Sequence, residues 1–565
     1  MIIANWSLEI NTSMFNKLLN GESKTITSAA IIVAAASLAS RFLGIIRDRI
    51  LAGEFGAGDI LDTYYAAFRI PDLIFNLLVL GALSAGFIPI FTKYLQTKGE
   101  NNAWKLVSDI INILVISLLV VCGILFIFAP QIMKLITPGF DAEKLTSTVL
   151  LTRIMFLSPL FLGLSSVFGG ILQSFKRFIV YSFAPIFYNL GIIFGALVFV
   201  RYWGVVGLAY GVVLGAFLHM IVQIPSCRLL GFRYYLKFDF KESGIKELIK
   251  IMVPRTLTLG INQINLVVVT IIASTLVSGS LAVFNLANNL QSFPIGIFGV
   301  SFAIAAFPTL TALALKEDKK EFVHSFSNTT REILFFLIPV SALILVLRAQ
   351  IVRVILGTGA FTWEDTVLTM ETLAMFSFGL FAQAMIPLLI RGFYAFSNAV
   401  TPFSLGLISA IINIFLSIFL TRPFTLNNYN FDFGVSGLAL AFSISSILNF
   451  ILLWLALRTK TDGLDEKNII LSVLKVSLAT LAMAVTTQFM KFGIEPFFGT
   501  TTFLGIFLQG LIAGLVGIAV FVVAAMLLKS PEMFTFAGAL RKRLFKEKAN
   551  YPQASMDENV EGGNL

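Results

Sequence analysis

Charged residues stand where an apolar chain should have none. The run Ser40-Arg41-Phe42-Leu43-Gly44-Ile45-Ile46-Arg47-Asp48-Arg49 interrupts an otherwise apolar stretch. As a helix, that stretch carries Arg41 about 21 Å from its start, near mid-bilayer if it spans a membrane. A charge at that depth costs about 2.5–3.5 kcal/mol on insertion scales, so it requires a watery cavity or a partner. Asp48 lies seven residues beyond Arg41, on the same helix face but too far for a direct pair. The next stretch repeats the device, with Asp62, Arg69 and Asn76 seven residues apart on one face. Pro71 should bend this helix, and Gly44 and Gly81 permit close packing or a hinge. A guanidinium fork matches phosphate bidentately, so two such stripes facing one chamber point to an anionic headgroup, pyrophosphate in particular. The competing structural reading is an intramembrane salt-bridge network through Asp48 and Asp62.

Polar residues are sparser further on. Arg255 follows Pro254, with Asn262, Gln263 and Asn265 beyond it, and Asn285, Asn288 and Asn289 cluster in the following stretch. Amides in a membrane helix hydrogen-bond helices together, and their oxygens also suit a cation. The spacing selects neither.

The elements that position these residues follow from composition. Of 565 residues, 57% are hydrophobic and only 13% charged, with a mean hydropathy of +0.89. Soluble domains carry about 25% charged residues, so this chain is an integral membrane protein, all-α and polytopic. Cytosolic enzymes, secreted disulfide scaffolds and nucleic-acid-binding domains are excluded. Two cysteines and two well-separated histidines, His219 and His324, indicate neither a disulfide framework nor a metal cluster. Apolar runs give fourteen spans, near 27–54, 62–92, 108–130, 146–173, 179–200, 204–226, 246–277, 282–314, 332–356, 366–390, 401–421, 434–457, 468–490 and 501–528. With the N-terminus inside, cytoplasmic segments hold roughly 27 Lys and Arg against roughly 7 outside, which sets both termini in the cytoplasm.

Gly204-Val-Val-Gly-Leu-Ala209 recurs as Gly434-Val-Ser-Gly-Leu-Ala439, and Phe87-Ile-Pro89 is echoed by Ala306-Phe-Pro308. Similar offsets imply two six-helix lobes related by a pseudo-twofold along the membrane normal, plus two C-terminal helices. The resulting organisation is a cytoplasmic or interfacial leader at 1–26, an N-lobe at 27–229 and a C-lobe at 230–458. A final helix pair follows at 459–530, then a basic and afterwards disordered cytoplasmic tail at 531–565.

The stretch from Ser40 to Asp48, followed by Phe55-Gly-Ala-Gly58 and Asp62, resembles the opening of the MurJ/MviN family of lipid II flippases. That family belongs to the superfamily of MATE exporters and polysaccharide flippases. Pro138-Gly-Phe140, the stretch 170–178 with Ala184-Pro185, Phe293-Pro294, Arg391-Gly-Phe-Tyr-Ala395 and Thr401-Pro402 extend the likeness over about residues 27–530. The resemblance implies alternating access around a cationic cavity and an apolar groove for a polyprenyl tail on the last two helices. Arg41 and Arg47 match its headgroup-binding arginines, and Asp48, Asp62 and Arg69 also match. Phe75, Asn76 and Leu80 replace an arginine pair and a glutamate, and Asn289 replaces an arginine. Arg255 is the candidate to restore part of that charge.

The implied activity moves an undecaprenyl-pyrophosphate-linked muropeptide, lipid II, from the inner to the outer leaflet of a bacterial cytoplasmic membrane for cell-wall synthesis. It needs no covalent chemistry, cofactor or nucleic acid, and the expected form is a monomer among membrane lipids. No Walker A pattern is present, so a membrane potential or a Na+ or H+ gradient must drive it. The substrate-binding set is Arg41, Arg47, Arg69 and Arg255, supported by Ser40, Asp48, Asp62, Asn76 and Asn289. Alternatives are a flippase for another lipid-linked oligosaccharide, a MATE-like cation-coupled exporter, a membrane-embedded glycosyltransferase, or a cell-wall scaffold.

Overall fold

The computed structural model describes residues 26–236, 239, 242–426, 429–499 and 501–544. Side chains of 26–31, 80–85, 251, 253–255, 257–259, 261–262, 424–426, 429–430 and 539–544 are outside that description. The proposed leader at 1–26 therefore falls almost wholly outside it, as does the tail beyond 544.

The described residues are almost all helical. The first bundle contains α1 (Ile26–Phe55), α2 (59–97), α3 (Glu100–Ile127), α4 (Ala142–Ser174), α5 (Phe178–Trp203) and α6 (Val206–Leu229). The second contains α7 (Ser243–Ser274), α8 (Ser280–Leu315), α9 (Lys319–Val346), α10 (Trp363–Ala395), α11 (Val400–Leu420) and α12 (Gly434–Thr461). Then come α13 (Glu466–Phe498), α14 (Phe503–Leu527) and a terminal α15 (Pro531–Leu544). Among the described residues, eleven helices are long and apolar enough to cross a membrane: α3 to α6 and α8 to α14. Of α7, the part Gln263–Ser274 registers as a shorter apolar helix.

Two departures from the sequence reading have local causes. The stretch 332–356, read as one span, is divided at Leu347, whose φ of −97° and ψ of 13° end α9. The short helix Arg348–Leu356 follows, and α9 itself starts early because Asp318 caps it by accepting from the Glu321 amide. A two-stranded hairpin, Phe424–Leu426 with Tyr429–Phe431, joins α11 to α12 inside the otherwise all-helical fold.

Pro71 does disturb its helix. It lacks a donor and crowds the preceding turn, and the helix loosens into a π-helical turn over Phe75–Leu80. Pro294 in α8 is likewise followed by a π-helical turn, Ile295–Val300. Such turns splay a helix without breaking it and are common at functional positions. Gly81 opens the next α-helical segment, and its packing lies outside the described residues. Gly44 has open space around its α-carbon, so it serves access rather than tight packing. The two sequence repeats both begin at a glycine with positive φ, Gly204 at 57° and Gly434 at 47°.

Candidate functional site

Four positions of α1 reach the middle of the molecule. Arg47 donates through Nε and Nη2 to Asp48 Oδ1, at 3.0 and 2.7 Å, and through Nη1 to Asn189 Oδ1 on α5 at 3.1 Å. Asn189 Nδ2 in turn reaches Ser40 Oγ at 3.5 Å. The second oxygen of Asp48 accepts from Asn289 Nδ2 on α8 at 2.9 Å, so this buried carboxylate ties one bundle to the other. Three of the five N–H donors of Arg47 are thus engaged, and two have no partner among the described residues.

Arg41 is different. Among the described residues it has no hydrogen-bond or ion-pair partner, and it is exposed. Its guanidinium packs on Gly296, in the π-helical turn of α8, where a β-carbon would have no room. A cavity of about 140 Å³ lies between α1 and α8, lined by Arg41, Gly44, Arg47, Asp48, Asn289 and Ser292 among others. Leu38 and Phe42 on α1 and Ile304 on α8 are at least half exposed.

Asp62, Arg69 and Asn76 do not line this cavity. Arg69 is buried and donates from Nε to Thr270 Oγ1 at 2.7 Å and from Nη2 to Asn285 Oδ1 at 2.8 Å. It therefore bridges α2 to α7 and α8. Asn76 turns back on its own helix and donates to the Asp72 carbonyl at 2.8 Å. The backbone of Arg255 belongs to α7, but its side chain lies outside the described residues.

Asp62 sits at one end of the bundle, only 2% exposed. Its carboxylate accepts from Lys144 Nζ at 2.8 Å and from the amides of Gly279 and Ala282 at 2.8 and 2.9 Å. It thus caps the first turn of α8 from the other bundle, where amide donors lack helical partners and the helix dipole favours an anion. Asp59 adds a bond from Ser278 Oγ at 2.7 Å and an ion pair with Lys144. Around them the Ala360 amide donates to Gly53 O at 2.7 Å, and the Ala57 amide to Asp365 Oδ2 at 3.3 Å. Arg49 is tied inward. It donates to the carbonyls of Val354 and Ile355 at the end of the short helix after α9. Gly279 has φ of +86°, and a β-carbon there would strike the Ala57 carbonyl. These contacts form a continuous seam that closes the two bundles against each other at this end.

At the other end, Tyr94 Oη donates to Glu242 Oε1 at 2.6 Å and Lys98 Nζ reaches the same oxygen at 3.3 Å. These hydrogen bonds, Tyr94 foremost, hold the Glu242 carboxyl below its ordinary range. Lys93 pairs with Glu247 at 3.1 Å. This clip joins the end of α2 to the start of α7.

Sequence reasoning missed Asn189, Lys144 and Thr270, the partners of Arg47, Asp62 and Arg69. It also missed Asp72, one helical turn beyond Arg69 and within electrostatic reach of both Arg69 and Arg47. The Arg69-to-Asp72 spacing was a usable signal. Asn189 and Thr270 gave none, because a lone polar residue in an apolar span is ordinary. No group of three or more His, Cys, Asp or Glu that could hold a metal occurs among the described residues.

The comparisons with known proteins agree on one family. The family model described as "Lipid II flippase MurJ" matches residues 51–527. A probable lipid II flippase MurJ of Buchnera aphidicola subsp. Acyrthosiphon pisum is 31% identical over 459 residues, covering 80% of this chain and 88% of that protein. Its counterpart from Rhizobium tropici is 28% identical over 529 residues, covering 92% and 96%. A solved lipid II flippase MurJ in an inward closed conformation superposes with a TM-score of 0.72 at 25% identity, covering 91% of this chain and all of that one. An inward-facing MATE multidrug transporter shares the fold, with a TM-score of 0.64 at 15% identity over 77% of this chain and 99% of that one. With a match spanning most of its length, this multi-pass bacterial inner-membrane protein belongs to the MurJ family of lipid II flippases.

Proposed function

We propose that the chain moves lipid II across the cytoplasmic membrane by alternating access, binding its pyrophosphate at Arg41 and Arg47. The observation that carries this reading is Arg41, a guanidinium without a hydrogen-bond or ion-pair partner among the described residues, beside a cavity that it lines together with Arg47. A charge kept unpaired at such depth is costly to the fold alone, and a doubly charged anion repays it with charge-assisted hydrogen bonds. Asp48 holds Arg47 in position and offsets its charge while the cavity is empty. The reaction is transfer without covalent change, and the protein acts as a monomer. The seam at Asp62 lies on the external side and both termini are cytoplasmic, as the Lys and Arg distribution favours. The cavity then opens toward the inner leaflet, where the substrate is made. Arg69 locks the bundles in this state and becomes free to follow the headgroup when they separate, with Arg255 adding charge from α7. A membrane potential or ion gradient supplies the work, worth about 2.3 kcal/mol per charge per 100 mV. The polyprenyl tail stays in lipid along α13 and α14.

The test is rescue of a bacterium depleted of its own lipid II flippase, read with labelled lipid II at the outer leaflet. Wild type should rescue, and well-expressed Arg41→Ala and Arg47→Ala should not. Full rescue by both variants would refute the arginine site. No outer-leaflet lipid II from a well-folded wild type would refute the substrate.

A further inference from the structure

Beside the arginine cavity, the second bundle holds an uncharged chamber of about 340 Å³ walled by α7, α8, α10, α11 and α12. Its volume falls within the range of small-ligand sites, about 300–1,000 Å³. Its polar wall is built from amides and hydroxyls, chiefly Asn265, Asn288, Ser292, Gln383, Asn413 and Asn449, and among the described residues no Asp, Glu, Lys, Arg or His lines it. Much of this wall is held in a fixed hydrogen-bonded array. Asn413 Nδ2 donates to Asn265 Oδ1 at 2.8 Å, Gln383 Nε2 to Gln291 Oε1 at 3.2 Å, and Gln291 Nε2 to Asn288 Oδ1 at 3.0 Å.

Two acceptors are left over. Asn413 Oδ1 and Asn449 Oδ1 are buried without a partner, and Asn413 as a whole is only 2% exposed. Buried carbonyl oxygens are costly unless a donor reaches them, so two on residues that line one chamber mark places for ligand hydroxyl or amide N–H groups. Ser292 lines both this chamber and the arginine cavity, which makes the two neighbours along α8. A ligand whose phosphates rest on Arg41 and Arg47 therefore has an adjoining space whose described lining offers hydrogen bonds and no counter-charge. An ionised group would stay unpaired there, whereas a hydroxyl-rich neutral ring would satisfy the orphan carbonyls.

We infer that the amide chamber of the second bundle is the subsite for the neutral carbohydrate ring attached to the diphosphate of the transported lipid. This assignment rests on the flippase reading above. Each direct hydrogen bond lost to a neutral ring weakens binding by about tenfold, or about 1.4 kcal/mol.

The test uses the full chain in lipid nanodiscs and two radiolabelled probes, undecaprenyl pyrophosphate and the same lipid carrying one N-acetylhexosamine, each measured in sodium and in sodium-free buffer. Asn449→Leu and the gentler Asn449→Ser should each raise the Kd of the sugar-bearing probe about tenfold and leave that of undecaprenyl pyrophosphate unchanged. Asn413→Leu should act the same way, and Arg47→Ala should weaken both probes. If the amide variants weaken both probes equally, or only in sodium, the chamber serves packing or a cation and the assignment is overturned, while the flippase reading stands. The same holds if they affect neither probe. If wild type binds neither, the flippase reading fails and the subsite falls with it.

Discussion

Replacing Asp62 should unlock the closed end of the molecule. The carboxylate receives one ammonium and two backbone amides, all within 2.9 Å, while only 2% exposed. Asp62→Asn keeps the shape and one acceptor oxygen, but loses the charge facing Lys144 and the start of α8. Lys144 retains Asp59 as a partner, so the loss is smaller than for an abandoned buried charge. A charge-assisted hydrogen bond is worth about 1.5–3 kcal/mol and a charge at a helix N-terminus about 0.3–1 kcal/mol. Allowing for the bonds an amide keeps, the closed arrangement should lose about 1.5 kcal/mol, a factor of about ten in the closed-to-open ratio. Asp62→Ala removes every acceptor and should cost about 3–5 kcal/mol. The seam reporter is Ser274→Cys, a near-isosteric change at a residue 4% exposed whose Oγ accepts from the Gly139 amide across the seam. With Cys122 and Cys227 replaced, maleimide labelling of the detergent-purified protein reads the open fraction, and sidedness does not enter. Asp62→Asn should accelerate labelling about tenfold. A rate within twofold of the parent, in a protein that remains folded, would refute the idea that this carboxylate holds the bundles shut.

Three further outcomes follow from the same geometry. Arg69→Ala should destabilise the detergent-solubilised protein by about 2–4 kcal/mol, because Thr270 and Asn285 lose a charged donor. A melting temperature unchanged from wild type would show that Arg69 does not bridge the bundles. Gly279→Ala should open the seam through the clash with the Ala57 carbonyl and the φ of +86°, giving faster Ser274→Cys labelling; unchanged labelling would count against the close approach. Glu242 titrates below its ordinary value, so its contribution is fully present above the unfolded value of about 4.3 and disappears as pH falls through the lower folded value. A distance measurement between spin labels near Lys98 and Glu242 should therefore be flat from pH 8 to 5. Separation already at pH 6 would exclude the Glu242 clip.

The low charge, the apolar runs and the repeated glycine motifs settled the class of the molecule, because a bilayer tolerates few ways of satisfying a backbone. Arg41, Arg47 and Asp48 were legible for the same reason: charge at mid-bilayer is too expensive to be incidental. Their roles were less legible, since seven-residue spacing places side chains on one face without naming what stands opposite. Asp62, Arg69 and Asn76 share a helix face in sequence, yet the structure sends the first to a helix cap, the second across the bundle interface and the third back to its own backbone. Those partners, Lys144, Gly279, Thr270 and Asn285, lie far along the chain, and no local pattern encodes such pairings. Sequence by itself thus determined that the chain crosses a membrane and carries cations into it. Only the tertiary structure decided which of these cations is paired and which stands without a partner among the described residues, because hydrogen-bond partners are assigned by helix packing and not by spacing along one helix.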